Sequence, residues 1–258
     1  MRTVLTGCGE SRLTVRAWLA NSALVLTAAL AVGAVCPAEA ASASLFPEID
    51  ACDAQAASPY DVQRARDVPG VLFDAIDPSP AASACAAAIA VAPDVSRLQF
   101  QYCRALQRGR RFADAIAWCT QAARSGHTAA QYYMGLAYQS GEGVPRNDRF
   151  AHDWFQRAAT AGNRHAMFEI AVIHSRGQGV KRDLQKARRM WKELIRVQEK
   201  DGASGDPELL KLSRQNLAVV EENIAIQAAI AAQQAAQREA DWQAARDRDR
   251  AIMMMYWY

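Results

Sequence analysis

A chain of 258 residues, 51% hydrophobic and 22% charged, is long enough for a sizeable core and too apolar to be disordered. Its formal charge of +3 at pH 7 is too small to imply nucleic acid, which calls for a clustered basic face with interleaved aromatics.

Met1 to Ala40 (residues 1–40) reads as an export signal. Arg2, Arg12 and Arg16 form a basic n-region, Ser22 to Val35 an apolar h-region, and Ala38-Glu39-Ala40 a cleavage site before Ala41. A retained anchor is the alternative, since Ala17–Val35 is just long enough to span a bilayer. Its alanine content, Asn21 and Gly33 favour cleavage. The mature chain is then expected to be periplasmic or secreted, without stable membrane insertion.

Residues 41–93 form an N-terminal segment. Ser58–Asp61 and Asp77–Pro80 read as turns around an extended stretch at Val68–Phe73, and Ala81–Ala92 reads as a helix closed by Pro93. Four cysteines remain after cleavage: Cys52, Cys85, Cys103 and Cys119. An even count in an exported chain points to disulfides, with three possible connectivities. Cys52–Cys85 is expected first and Cys103–Cys119 second; the alternative is that each cysteine is a small buried apolar side chain. No C-x-x-C or H-x-x-x-H cluster points to zinc, so neither metal nor cofactor is expected.

The middle of the chain contains one unit twice. Ala130, Gly141, Gly143, Val144 and Ala151 recur 36 residues later as Ala166, Gly177, Gly179, Val180 and Ala187. A fixed period of this size marks stacked supersecondary units. Each reads as helix, loop, helix. Tyr133, Met134, Ala137 and Tyr138 give the first helix an apolar face. Gly141 and Gly143 end it, and Asn147 or Asp148 caps the second, which carries Ala151, Trp154, Phe155, Ala158 and Ala159. Trp154 is expected in the core. Upstream, Ala115, Trp118, Ala122, Ala123 and Gly126 repeat Ala151, Trp154, Ala158, Ala159 and Gly162, so Phe112–Ala123 is another second helix with Leu98–Gln107 as its partner. From Cys103, in the place of Gly135, to Ala115 the unit lacks the four-residue Gly-x-Gly extension. Residues 94–127, 128–163 and 164–199 are thus three units.

Beyond a loop at Asp201–Pro207, residues 207–250 read as a helix. Its first half carries Leu209, Leu210, Leu212, Leu217, Val220, Ile224 and Ile226 on an apolar face and caps the end of the stack. From Ala228 it turns polar and either projects or pairs with another helix. The apolar tail 251–258 either folds back or docks.

These residues carry a resemblance. A-x-Y-x-M-G-x-x-Y-x-x-G-x-G-V, followed by Ala, Trp-Phe and Ala-Ala-x-x-Gly, resembles the Sel-one-like repeat (SLR), a relative of the tetratricopeptide repeat. Gly109, Phe112, Ala115 and Ala122 resemble the shorter tetratricopeptide version. The second copy departs from the pattern at Ala171, His174 and Met190. The N-terminal segment with Cys52 resembles one often joined to such repeats in exported bacterial proteins. The resemblance implies an all-α fold, an α-solenoid. It also implies a non-catalytic interaction scaffold of the bacterial envelope, acting as adaptor, assembly factor or regulator. Two other readings are a cell-wall or β-lactam-related hydrolase, and a structural module working through the C-terminal helix.

By comparison with tetratricopeptide repeats, the inner face carries Arg97, Phe100, Arg104 and Arg108 in the first unit. It carries Tyr132, Leu136 and Gln139 in the second, and His165, Phe168, Val172 and Arg176 in the third. Phe100, Tyr132 and Phe168 form an aromatic column, and the arginines suit a protein or peptide partner bearing carboxylates. The alternative is that these rings pack between helices. No Gly-x-Ser-x-Gly, Ser-x-x-Lys or phosphate-binding loop appears in the sequence.

Overall fold

The computed structural model describes residues 45–202 and 206–257; the export-signal reading lies outside them. Among the described residues all regular structure is helical: α1 Pro47–Ala56, a 3-10 turn Phe73–Ala75, α2 Pro78–Val91, α3 Ser96–Arg108, α4 Phe112–Arg124, α5 Thr128–Ser140, α6 Asp148–Thr160, α7 Arg164–Arg176, α8 Leu184–Asp201 and α9 Pro207–Tyr256. Three helix pairs, α3/α4, α5/α6 and α7/α8, stack in chain order; α1/α2 packs before them and α9 lies on α8. The architecture is an α-solenoid.

Each pair is held together at one equivalent position, solved by different chemistry in each unit. In the second unit Gly135 faces Phe155: a Cβ on Gly135 would lie 2.5 Å from the Phe155 ring, which is fully buried. Thirty-six residues later Ala171 and Trp191 share one cluster, both fully buried. In the first unit the same places are Cys103 and Cys119, joined by a disulfide. A small residue facing a large one, or a covalent link between two small ones, brings two helix backbones together without a void.

The repeat also fixes how units stack. Gly141 and Gly177 end their helices in the left-handed region, at φ 82° and 76°. The second glycine of each Gly-x-Gly touches the preceding unit. A Cβ on Gly143 would meet the Phe112 carbonyl at 2.9 Å, and one on Gly179 the Asp148 backbone at 2.6 Å. Phe112 and Asp148 are themselves equivalent, each beginning a second helix. Asn147 caps α6, accepting from the Arg149 and Phe150 amides, and Asp183 caps α8, accepting from Lys186.

Three sequence expectations change. Trp154 is only partly buried, with the Arg157 guanidinium 4.8 Å from its ring centroid; Phe155 fills the core instead. Asp77–Pro80 is the start of α2 and not a turn, because proline is accommodated in a first helical turn. Residues 47–56, given no element above, form α1, whose cysteine is linked to α2 through Cys52–Cys85. The tail does not fold back: α9 continues to Tyr256, with Met253–Trp257 exposed.

Candidate functional site

The N-terminal segment builds the site. Between α1 and α2 the chain makes a loop over residues 57–71, closed where the Val71 amide donates to the Ala57 carbonyl at 2.7 Å. Gly70 permits the closure, since a Cβ there would overlap Pro59. This strap lies on the face formed by the first helices.

Four contacts tie it down. The buried Arg104 guanidinium on α3 donates to the carbonyls of Ala56 at 2.5 Å and Val71 at 2.8 Å. Burial lowers its pKa to about 10, with Asp61 acting in the opposite direction; it stays charged at neutral pH. His127, fully buried before α5, accepts from the Ala130 amide through Nδ1. Its proton therefore sits on Nε2, which donates to Asp61 Oδ2 at 3.1 Å. The Thr128 amide donates to Gln63 Oε1 at 2.9 Å. Tyr60 meets His165 of α7 edge-on, ring centroids 5.6 Å apart.

This arrangement divides the expected groove. Arg97 pairs with the buried Asp53 of α1 at 3.2 Å, and Arg108 donates to the Asp74 carbonyl at 3.3 Å. Phe100 is buried and stacks on His127 with centroids 4.9 Å apart. The arginines of the first unit thus bind the chain's own N-terminal segment and its ring packs within its own unit, and the expectation that they face a partner is corrected. The physical reason is that the segment supplies in cis the carbonyls and carboxylates that guanidinium seeks. Val172 is buried among α7, α8 and α9. Tyr132 is half-buried between Phe155 and His165, at 5.7 and 5.9 Å, and Phe168 leans edge-on against Trp191 at 4.8 Å. Each ring of the column thus packs on its own unit first. Leu136 and Gln139 remain partly accessible and Arg176 exposed. Burial raises the Glu169 carboxyl, opposed by a hydrogen bond from Gln139 and by the charge of Arg176; burial and Glu169 together raise the Tyr132 phenol.

Sequence reasoning missed the cleft where the strap meets the starts of α5, α7 and α9. Its volume is about 730 Å³, and it is lined by Tyr60, Arg64, Arg66, Thr128, Arg164, His165, Asp206 and Leu209, among others. Both carboxylates near it are engaged: Asp61 with His127, and Asp206 as the cap of α9, accepting from the Glu208 and Leu209 amides. Arg64, Arg66 and Arg164 line it beside the Tyr60 ring; Arg64 donates to the Ser58 carbonyl at 2.9 Å and Arg66 is exposed. Burial, and to a lesser degree Arg164, lowers His165, with Asp206 opposing, so its ring is neutral at pH 7. Among the described residues no group of three His, Cys, Asp or Glu is placed to hold a metal.

Two predictions follow from this geometry. Arg104→Ala leaves the Ala56 and Val71 carbonyls without their donor and should destabilise the fold by roughly 2–4 kcal/mol, read from urea melts. The second concerns His174, which occupies the place of Tyr138. It is buried with neither ring nitrogen hydrogen-bonded, 5.5 Å from His152. Burial, Lys186 and His152 lower its pKa below the ordinary 6.5, and Asp183 acts against them. A histidine lowered on folding contributes fully above about pH 6.5 and loses that contribution as pH falls towards its folded pKa, since the unfolded chain takes up the proton first. Stability should therefore decline on acidification below about pH 6.5, and His174→Phe should both raise Tm and flatten the decline. An unchanged pH profile in the variant would show that the decline arises elsewhere.

Comparison with known proteins agrees with this geometry. Residues 99–127, 128–163 and 164–195 match the Sel1 repeat. No curated protein matches the chain. Among solved structures, it is similar to a Sel1 repeat protein from Oxalobacter formigenes, with 25% identity over 46% of this chain and 51% of that one, and a TM-score of 0.44. It is also similar to a protective antigen present in uropathogenic Escherichia coli strains that displays an SLR fold, with 23% identity over 64% of this chain and 32% of that one, and a TM-score of 0.47. The chain thus spans about half of the first relative and about a third of the second. Three matched units in succession, the first one short, coincide with three stacked helix pairs, and residues 99–195 of the chain are Sel1 repeats.

Proposed function

We propose that this protein is an exported, non-catalytic scaffold that binds an acidic peptide or protein segment where the strap meets the second and third repeats. Sel1 repeats form a scaffold kind of fold, and the two disulfides suit an oxidising compartment such as the periplasm. The observation that carries the reading is the cleft of about 730 Å³ with Tyr60 and the exposed Arg66 on its wall and its carboxylates already engaged. Guanidinium groups recognise carboxylates in fork geometry, and a ring beside them gives an apolar anchor its burial. The partly accessible Tyr132, Leu136, Gln139 and Phe168, with Arg176 beyond them, extend the surface along α5 and α7.

A displayed peptide library selected on the whole chain tests this. Selected peptides should be rich in Asp and Glu around an apolar residue. Arg66→Glu should weaken the best of them at least tenfold at low salt and less at high salt, where exposed charges are screened. Arg66 is exposed, so the variant should fold normally. Selection without acidic bias, or binding indifferent to Arg66→Glu, would remove the cleft from the account.

A further inference from the structure

The helix α9 is 50 residues long, and only its first part has something to pack on. Leu209, Ser213 and Val220 are buried, and Val220 with the partly buried Leu217 and Ile224 shares a cluster with Trp191 and Leu194 of α8. Beyond Ile224 no described residue is buried, yet Trp242, Ile252, Met253 and Tyr256 all lie open to solvent. At 100° per residue the stripe that packs on α8 passes on through Ala228, Ala231, Ala235, Trp242, Met253 and Tyr256, with Arg238 and Asp249 set between them. A buried face therefore runs on as an uncovered one, in a helix arm about 43 Å long between Ala228 and Tyr256.

We infer that this arm is a dimerisation element, covered by the same arm of a second copy running antiparallel, with the two Trp242 rings at the twofold axis. Three properties of the stripe select that occupant. The first is size. Pairing about Trp242 sets Met253 against Ala231 and Tyr256 against Ala228, large against small, as close helix packing requires. The second is charge along the stripe. Arg238 and Asp249 lie on it, so parallel copies in register would set Arg238 on Arg238 and Asp249 on Asp249. Antiparallel copies set each Arg238 level with the other copy's Arg246, and bring Asp249 and Glu239 within a turn of the two guanidinium groups to offset them. The third is net charge. The four arginines and four carboxylates between Ala228 and Trp257 cancel, which suits a self-complementary partner. An anionic lipid surface would call for an excess of basic residues. An isologous contact of this kind closes on itself and yields a dimer.

Sedimentation equilibrium and thiol cross-linking of the whole chain, with Cys8 and Cys36 replaced by serine, test the inference. The chain should be dimeric at micromolar concentration, and Trp242→Asp should raise the dissociation constant at least tenfold without lowering Tm. Trp242→Cys should form a covalent dimer under mild oxidation. Ala228→Cys should cross-link to Tyr256→Cys in a mixture and not to itself. A monomer at tens of micromolar overturns the proposal, as does a dimer unaffected by Trp242→Asp. Ala228→Cys cross-linking to itself would make the pair parallel and overturn the antiparallel assignment. A monomer that floats with vesicles of phosphatidylglycerol would assign the arm to lipid instead.

Discussion

Phe155→Ala should destabilise the protein by about 3–5 kcal/mol, near the top of the range for losing a large core side chain. The ring is fully buried, and the residue opposite it is Gly135, which has no side chain to move into the void. The pair allows a sharper test. Gly135→Ala alone should be destabilising by about 1–3 kcal/mol, because its Cβ would fall 2.5 Å from the ring. In the Phe155→Ala background the same change should become stabilising, since the methyl group then fills space and alanine favours helix over glycine by roughly 1 kcal/mol. Urea denaturation of the four members of the cycle gives the coupling. A Gly135→Ala effect of the same sign and size in both backgrounds would mean that the two helices do not meet there.

Removing the Cys52–Cys85 link as a pair of alanines should cost about 3–4 kcal/mol, the chain-entropy value for a loop spanning 33 residues. The strap lies inside that loop, so the loss should be uneven. Amide exchange should rise most in residues 56–71 and around Arg104, and least in α5–α8. The Cys103–Cys119 link spans 16 residues and should contribute about 3 kcal/mol in the same treatment. Its loss should loosen α3 against α4 instead. A strap equally protected with and without Cys52–Cys85 would show that Arg104 and His127 hold it unaided.

The fold was legible in the sequence where one residue type answers one steric demand. The Gly-x-Gly pairs, the asparagine and aspartate caps and the small-to-large pattern recur at 36 residues because each unit must make the same contact with the last. The equivalence of Gly135/Phe155 with Cys103/Cys119 was within reach of the same alignment, yet the cysteines read first as a redox matter and only then as a packing one. The site was less legible. Arg97, Arg104 and Arg108 stand at the positions that the tetratricopeptide comparison assigns to the inner face. What covers them comes from residues 53–74, a segment with no period and no motif. Nothing local marks a carbonyl at Ala56 or Val71 as the partner of a guanidinium on α3. His127 could have been suspected: it stands where Asn163 caps the next unit, and an imidazole there has a second nitrogen that needs an acceptor. The cleft was out of reach because its walls come from four separate parts of the chain.

Site-specific photo-cross-linking tests the central claim most directly. A benzoylphenylalanine placed at position 66, in the cleft, is compared with one at position 104, under the strap, and one at position 157, on the exposed side of α6, each in cells producing the full chain. The account predicts a discrete protein adduct from position 66 that an excess of the selected acidic peptide abolishes, and no such adduct from position 157. Position 104 should cross-link to the chain's own residues 56–71. An adduct from position 157 with none from position 66, or a partner captured from position 104, would contradict it, and would return the binding surface to the convex side or to the first repeat.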